Sequence, residues 1–136
     1  YDYKDISIIN DSKSTSYSSS IEMLKRSKNI YWLLGGISKK GDKFNLPKIY
    51  YKNIKGFIFG KDNKKFLDDL KNKIKIKKFH NLKEALINVI NEIKKDNLKN
   101  KTILLSPSAA SFDSFKNFED RGSYFNNLIK RYLDVK

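Results

Sequence analysis

Leu104–Gly122 reads LLSPSAASFDSFKNFEDRG. Leu104 and Leu105 close an apolar run that opens at Thr102, and an unbroken run of this kind predicts a strand covered on both faces. Ser106-Pro107 can serve as a plain strand stop. Ser108, Ala109, Ala110 and Ser111 are small, and Phe112, Phe115 and Phe118 then recur at three-residue spacing before a charged helix start. A simple connector needs neither the small residues nor the spaced aromatics. Phenylalanines in a loop usually pack into a core, so the meaning of this stretch depends on what surrounds it.

Upstream, four more apolar runs read as strands: Ile6–Ile9, Ile30–Leu34 closed by Gly35-Gly36, Gly56–Gly60, and a weaker one at Ile74–Phe79. Helical stripes lie between them. Leu82, Ala85, Leu86, Val89, Ile90 and Ile93 recur at i, i+3, i+4 and i+7. Phe66, Leu67 and Leu70 make a shorter stripe, and Phe125, Leu128, Ile129, Tyr132 and Leu133 make another. Ser20–Leu24 reads as part of a helix after the first strand. The order is strand, helix, strand, loop, strand, helix, strand, helix, strand, helix. It predicts an α/β fold of Rossmann-like type, an open, mostly parallel sheet of about six strands with helices on both faces. Lys40–Asn53 has no legible pattern, and Pro47 blocks a simple helix there.

With 136 residues, 39% of them hydrophobic and 32% charged, the chain suits one soluble domain. No apolar run approaches the ~20 residues that span a bilayer, so no membrane partner is expected. Absence of cysteine excludes disulfides and thiolate metal sites, and the lone histidine, His80, makes a histidine-based metal site unattractive. No metal site is expected. The chain starts at Tyr1 and its one methionine is Met23, so it reads as a piece of a longer protein. Its net charge of +14 invites a nucleic-acid reading. Yet the lysines are dispersed, arginine is scarce, and lysine, isoleucine and asparagine are abundant, as in proteins of AT-rich genomes. A solvated lysine surface is the simpler account, and no nucleic-acid partner is expected. A stand-alone basic RNA-binding module is kept as the alternative of another class; a contiguous lysine face would favour it.

Open parallel sheets bind ligands beyond the carboxyl ends of their strands. Three polar loops leave strands at that edge: Asn10–Thr15, Gly35–Gly41 and Ser106–Phe118. Lys13 and Lys39 offer ammonium groups, Thr15 and Ser111 hydroxyls, and the small residues give access to backbone N–H donors near a helix start, a set suited to a small anion. Each piece alone has a bland reading: Asn-Asp-Ser as a helix-capping turn, Gly-Gly as a turn. Neither GxxxxGK[ST] nor GxGxxG occurs.

Taken together, NDSKST, LLGGISKKGDKF and LLSPSAASFDSFKNFEDRG resemble the C-terminal domain of the Mur ligases, most closely their D-glutamate-adding members. That group has N-D-S-K-A-T, a G-G-x-x-K turn and L-L-S-P-A-x-A-S-x-D-x-[FY]-x-x-[FY]-x-x-R-G in this order and spacing. The resemblance covers nearly the whole chain, residues 1–136, and its third motif is the most specific. It implies a cytoplasmic, monomeric three-domain ligase of peptidoglycan synthesis. With ATP and Mg2+, such an enzyme converts the carboxylate of UDP-N-acetylmuramoyl-L-alanine to an acyl phosphate, which the amine of D-glutamate attacks. It further implies that Thr15 and Lys39 hold one D-glutamate carboxylate, and that Ser111, with backbone N–H groups near Phe112 and Phe118, holds the other. Asp11 and Lys13 would face the nucleotide and the reacting centre. The spaced aromatics would fix the third loop against the sheet. The UDP-binding and ATP-binding domains are not in this sequence, so the chain alone is expected to be inactive. Ser14, where alanine is usual, and Ser108 are mild departures. Another Mur ligase or a folylpolyglutamate-type ligase domain is the neighbouring alternative.

Overall fold

Strands that are apolar along their whole length must be covered on both sides, and the chain achieves this by sending two helices to each face of one sheet. A computed structural model describes residues 2, 3, 5–61, 63–110 and 115–133. In chain order the elements are β1 (Asp2–Tyr3), β2 (Ile6–Asn10), α1 (Tyr17–Arg26), β3 (Ile30–Gly35), β4 (Ile37–Ser38), a 3-10 turn (Lys48–Asn53), β5 (Ile54–Phe59), α2 (Lys64–Leu70), β6 (Lys75–Phe79), α3 (Leu82–Lys95), β7 (Lys101–Leu105), β8 (Ala109–Ala110) and α4 (Phe118–Tyr132). The main sheet has the order β1-β2-β7-β3-β5-β6, with β4 and β8 forming a separate pair. All neighbours among β2, β7, β3, β5 and β6 are parallel; β1 is antiparallel at one edge. The expected fold class and the alternation of strands and helices are both present.

Successive side chains of the central strands point to opposite faces. Tyr31, Leu33, Phe57, Ile103 and Leu105 pack on one face with α3 and α4. Trp32, Leu34, Ile58 and Leu104 pack on the other with Tyr17 and Leu24 of α1 and Phe66 and Leu70 of α2. Burying each large apolar side chain contributes about 1.5–3 kcal/mol. β6 is the exception, with Lys75, Lys77 and Lys78 exposed, as befits an edge strand that must not recruit a further strand.

The helices start where side chains satisfy their first N–H groups. Asn81 accepts from the Glu84 N–H (2.9 Å) and Asn117 from the Asp120 N–H (2.7 Å). Glu119 and Asp120 occupy the first turn of α4, and Lys130 and Arg131 its last, both favourable to the helix dipole. The unpatterned stretch 40–53 has a structural purpose. It passes Phe44 and Leu46 into the core beside Trp32, then closes in the 3-10 turn after Pro47. Its apolar residues are too few and too irregularly spaced to have marked an element. No helix among the described residues is long and apolar enough to cross a membrane.

Candidate functional site

All five parallel strands end at the same edge of the sheet, and the first two loops and the described start of the third leave from it. Asn10, Leu105 and Leu33–Gly35 lie side by side there. The Asp11 N–H donates to the Leu105 carbonyl (2.7 Å), the Ser106 N–H to that of Leu33 (3.2 Å) and the Gly35 N–H to that of Pro107 (3.1 Å). Each strand's exit is thereby fixed to its neighbour's.

Arg121, in the first turns of α4, is 0% exposed. Its Nε donates to Ser12 Oγ (3.1 Å), its Nη2 to the Ser12 carbonyl (2.6 Å) and its Nη1 to the Ala109 carbonyl (2.9 Å). Ser12 Oγ in turn donates to the Phe118 carbonyl (2.6 Å). One planar guanidinium thus joins the first loop, the third loop and the helix that follows, a use of its fixed fork that lysine could not copy. Gly122 lets α4 sit this close: a Cβ there would lie 3.2 Å from Ser12 Cβ.

The second loop joins through β4 and β8, with Ile37 opposite Ala110 and Ser38 opposite Ala109. Gly36, at φ +121°, permits that turn. A Cβ on it would stand 2.4 Å from the Ala110 carbonyl oxygen, so glycine is required by both conformation and space. Directly after the second loop, Asp42 reaches α1, its carboxylate accepting from the Tyr17 N–H (2.7 Å) at the start of that helix. Asp42→Ala is expected to cost about 1 kcal/mol, the usual value of a helix-start acceptor, read as a lower urea midpoint at unchanged m-value.

The candidate residues fall as follows. Asp11 is half-buried directly after β2, and its Oδ2 accepts from Ser106 Oγ (2.9 Å). Burial raises its pKa above the usual carboxylate value, while the Ser106 hydrogen bond and the Lys13 charge pull the other way. Lys13 and Thr15 are exposed. Lys13 shares an open cleft of about 440 Å³ with Phe118, Ser12, Glu119 and Asn126. Lys39 is exposed and lines a different hollow, of about 320 Å³, with Ser18 of α1 and Lys40–Lys43. Thr15 precedes the α1 cap, Ser16, and therefore lies beside the Asp42–Tyr17 junction. Ser111 and Phe112 lie outside the described residues. One expectation needs correction: Phe118 does not fix its loop against the sheet. It is 41% exposed at the first position of α4 and faces the cleft. Phe115 is partly buried against the α3–α4 face and beside Tyr124.

No protein-family model matches the chain. Among curated proteins, it is 37% identical over 129 residues to the UDP-N-acetylmuramoylalanine–D-glutamate ligase of Rickettsia felis, covering 95% of this chain and 29% of that ligase. The ligase of the same name from Prochlorococcus marinus is 41% identical over 138 residues, covering 96% of this chain and 29% of the ligase. The one from the Wolbachia of Brugia malayi is 36% identical over 131 residues, 96% of this chain and 26% of the ligase. The chain belongs to the Mur ligase family. It matches one segment of the D-glutamate ligases and spans between a quarter and a third of the length of these relatives.

Within this Mur ligase segment, several residues at the edge escaped the sequence reading. Ser106 is a ligand of Asp11 as well as a strand stop. Ser14, Ser20, Ser106 and Ser108 are buried together and hydrogen-bonded to one another. Trp32 Nε1 donates to the Ser106 carbonyl (2.7 Å) and holds that residue from below. The signal was present for Ser14 and Ser108, since both replace the small apolar residue of the family pattern and they meet in space: the Ser108 N–H donates to Ser14 Oγ (3.0 Å). At the amino end of β5 and β6, five lysines (Lys52, Lys55, Lys71, Lys73 and Lys75) line a shallow groove. Lys55 is paired there with Asp96 at 3.2 Å.

Proposed function

We propose that residues 1–136 are the amino-acid-binding domain of a UDP-N-acetylmuramoyl-L-alanine–D-glutamate ligase (MurD), a monomeric cytoplasmic enzyme of peptidoglycan synthesis. The observation that carries the reading is the joining of loops 10–15, 35–41 and the described start of 106–118 at one carboxyl edge, through Arg121 and the β4–β8 pair. Residues that bear the family's motifs are thereby assembled at the place where an open α/β sheet binds its ligand.

D-Glutamate brings two carboxylates and one reacting amine. The Lys39 ammonium and the Thr15 hydroxyl pair with one carboxylate. Ser111 and the backbone N–H groups beside Phe112 and Phe118 take the other. Both carboxylates are thus held away from the acyl phosphate and the amine is left to attack it, with phosphate leaving. Asp11 and Lys13 face the nucleotide side. ATP and Mg2+ are assigned mainly to the remainder of the enzyme, as the resemblance to the Mur ligases implies. The magnesium ion supplies charge neutralisation for the transferred phosphoryl group.

The test is a chimera in which this chain replaces the matching segment of the Rickettsia felis ligase. The chimera is expected to release phosphate only when UDP-N-acetylmuramoyl-L-alanine, ATP and D-glutamate are all present, and this chain alone to turn over no ATP. A folded chimera that makes the acyl phosphate but accepts another amino acid in place of D-glutamate would overturn the assignment. So would ATP turnover by the chain alone.

A further inference from the structure

Four buried serine hydroxyls lie behind the first and third loops, and counting their protons gives their arrangement a direction. We propose that Ser108, Ser20 and Ser106 form a one-way chain of hydroxyl hydrogen bonds that ends on the Asp11 carboxylate, making Ser106 the positioning residue for Asp11.

Each serine hydroxyl has a single hydrogen, whereas an ionised carboxylate can only accept. Ser106 Oγ has three possible acceptors in reach, Asp11 Oδ2 at 2.9 Å, Ser14 Oγ at 3.1 Å and Ser20 Oγ at 2.6 Å. The bond to the charged oxygen is the stronger, so the Ser106 hydrogen goes to Asp11. Ser106 Oγ then accepts from Ser20 Oγ, 2.6 Å away, because Ser106 has no hydrogen left to give. By the same count Ser20 Oγ accepts from Ser108 Oγ at 2.7 Å. Ser14 is the brace. It accepts the Ser108 N–H at 3.0 Å and so keeps Ser108 at its left-handed φ of 59°. That conformation is uncommon for a residue other than glycine.

Ser20, Ser106 and Ser108 are each 0% exposed, so solvent does not compete for these hydrogens. Hydrogen bonds in series polarise one another in such a setting. The chain runs from the turn that opens the third loop, across the start of α1, to the first loop. A change in the third loop at Ser108 is therefore felt as a change in the hydrogen bond that Asp11 receives. The charged groups bearing on this end are Lys13, on the same loop as Asp11, and the Arg121 guanidinium of α4, which bonds the adjacent Ser12. The meaning of Asp11 for the reaction rests on the function proposed above; the hydroxyl chain does not.

The experiment is an NMR titration of the Asp11 carboxyl carbon in this chain, wild type against Ser106→Ala, Ser20→Ala and Ser16→Ala. Loss of the donated hydrogen bond makes the carboxylate harder to form. The Asp11 midpoint is expected to rise in Ser106→Ala, to rise less in Ser20→Ala, and to stay in place in Ser16→Ala. Ser16 caps α1 and lies outside the chain of bonds. Should Ser106→Ala not fold, Ser106→Cys reads the same point, since a thiol is a weak donor and the midpoint again should rise. A folded Ser20→Ala whose Asp11 midpoint equals wild type overturns the one-way chain, and an unmoved midpoint in Ser106→Ala or Ser106→Cys overturns the positioning role. A second arm separates this from the function. In the full ligase, Ser20→Ala should move the acidic limb of the kcat profile to higher pH. If the carboxyl midpoint rises and that limb does not move, the hydroxyl chain stands and the reading of Asp11 as a reaction-centre group falls.

Discussion

Replacing Arg121 by alanine is expected to be among the most destabilising single changes available to this domain. The side chain is fully buried and its hydrogen bonds leave from all three guanidinium nitrogens. Alanine removes the donors and leaves the Ser12 and Ala109 carbonyls facing a void. A buried acceptor without a partner costs about 1–3 kcal/mol, so the two carbonyls together cost about 2–6 kcal/mol before the cavity is counted. Typical domains have about 5–15 kcal/mol in all. The thermal midpoint should fall by roughly 10–20 °C, and amide exchange should rise first in the Asn10–Thr15 loop. Arg121→Lys should recover little, because an ammonium cannot span both carbonyls. A variant as stable as wild type would mean that the first and third loops are held by other contacts and that the guanidinium is incidental.

Lys39→Ala should behave in the opposite way, harmless to the fold and costly to binding. The side chain is exposed, and the backbone carbonyl of this residue accepts the Asp42 N–H at 3.1 Å whatever the side chain is. Stability should change by no more than about 0.5 kcal/mol. On the function proposed above, a carboxylate of D-glutamate would lose its ammonium partner in the ligase. A hydrogen bond to a charged group contributes about 1.5–3 kcal/mol, which corresponds to roughly tenfold to a few hundredfold. The effect should appear as a raised KM for D-glutamate, with acyl phosphate still formed from ATP and the first substrate. Steady-state kinetics at saturating ATP and UDP-sugar decide it. An unchanged KM would remove Lys39 from the site, and with it the functional reading of the second loop.

The central parallel strands were legible because strands covered on both faces must be apolar without interruption, and Trp32, Leu33 and Leu34 or Ile103, Leu104 and Leu105 leave no other reading; the lysine-rich edge strand β6 showed only weakly. The short elements were not. β1, β4 and β8 have two residues each, too few for any periodicity, and β4 and β8 exist because the two loops lie against each other. At the candidate site, the rule that loops at the carboxyl ends carry chemistry pointed to Lys13, Thr15, Lys39 and Ser111, and the resemblance added Asp11. The serine cluster was missed, although Ser14 and Ser108 depart from the family pattern, because a hydroxyl buried in a network and one in water have the same letter. Arg121 was hidden for a related reason, as a guanidinium is expected at the surface until its partners are known. Phe118 misled because the spacing of three aromatics suggests packing, whereas a residue at the start of a helix that bounds a cleft is free to face it.

The position of β7 has a consequence for the order in which the molecule comes into being. It is the last of the parallel strands along the chain, yet it lies in the middle of the sheet, between β2 and β3. Those two are joined by α1 and make no ladder with each other; each pairs with β7. As the polypeptide leaves the ribosome, β3, β5 and β6 can assemble early. β2 has only the two-residue β1 as a partner until Lys101–Leu105 emerges. Contacts this distant in sequence form slowly, and until then two long apolar strand edges stand open to other chains. Asp11, whose N–H donates to the Leu105 carbonyl and whose carboxylate accepts from Ser106 Oγ, has no fixed position before that moment. Insertion of the central strand therefore closes the sheet and assembles the first and third loops in a single event.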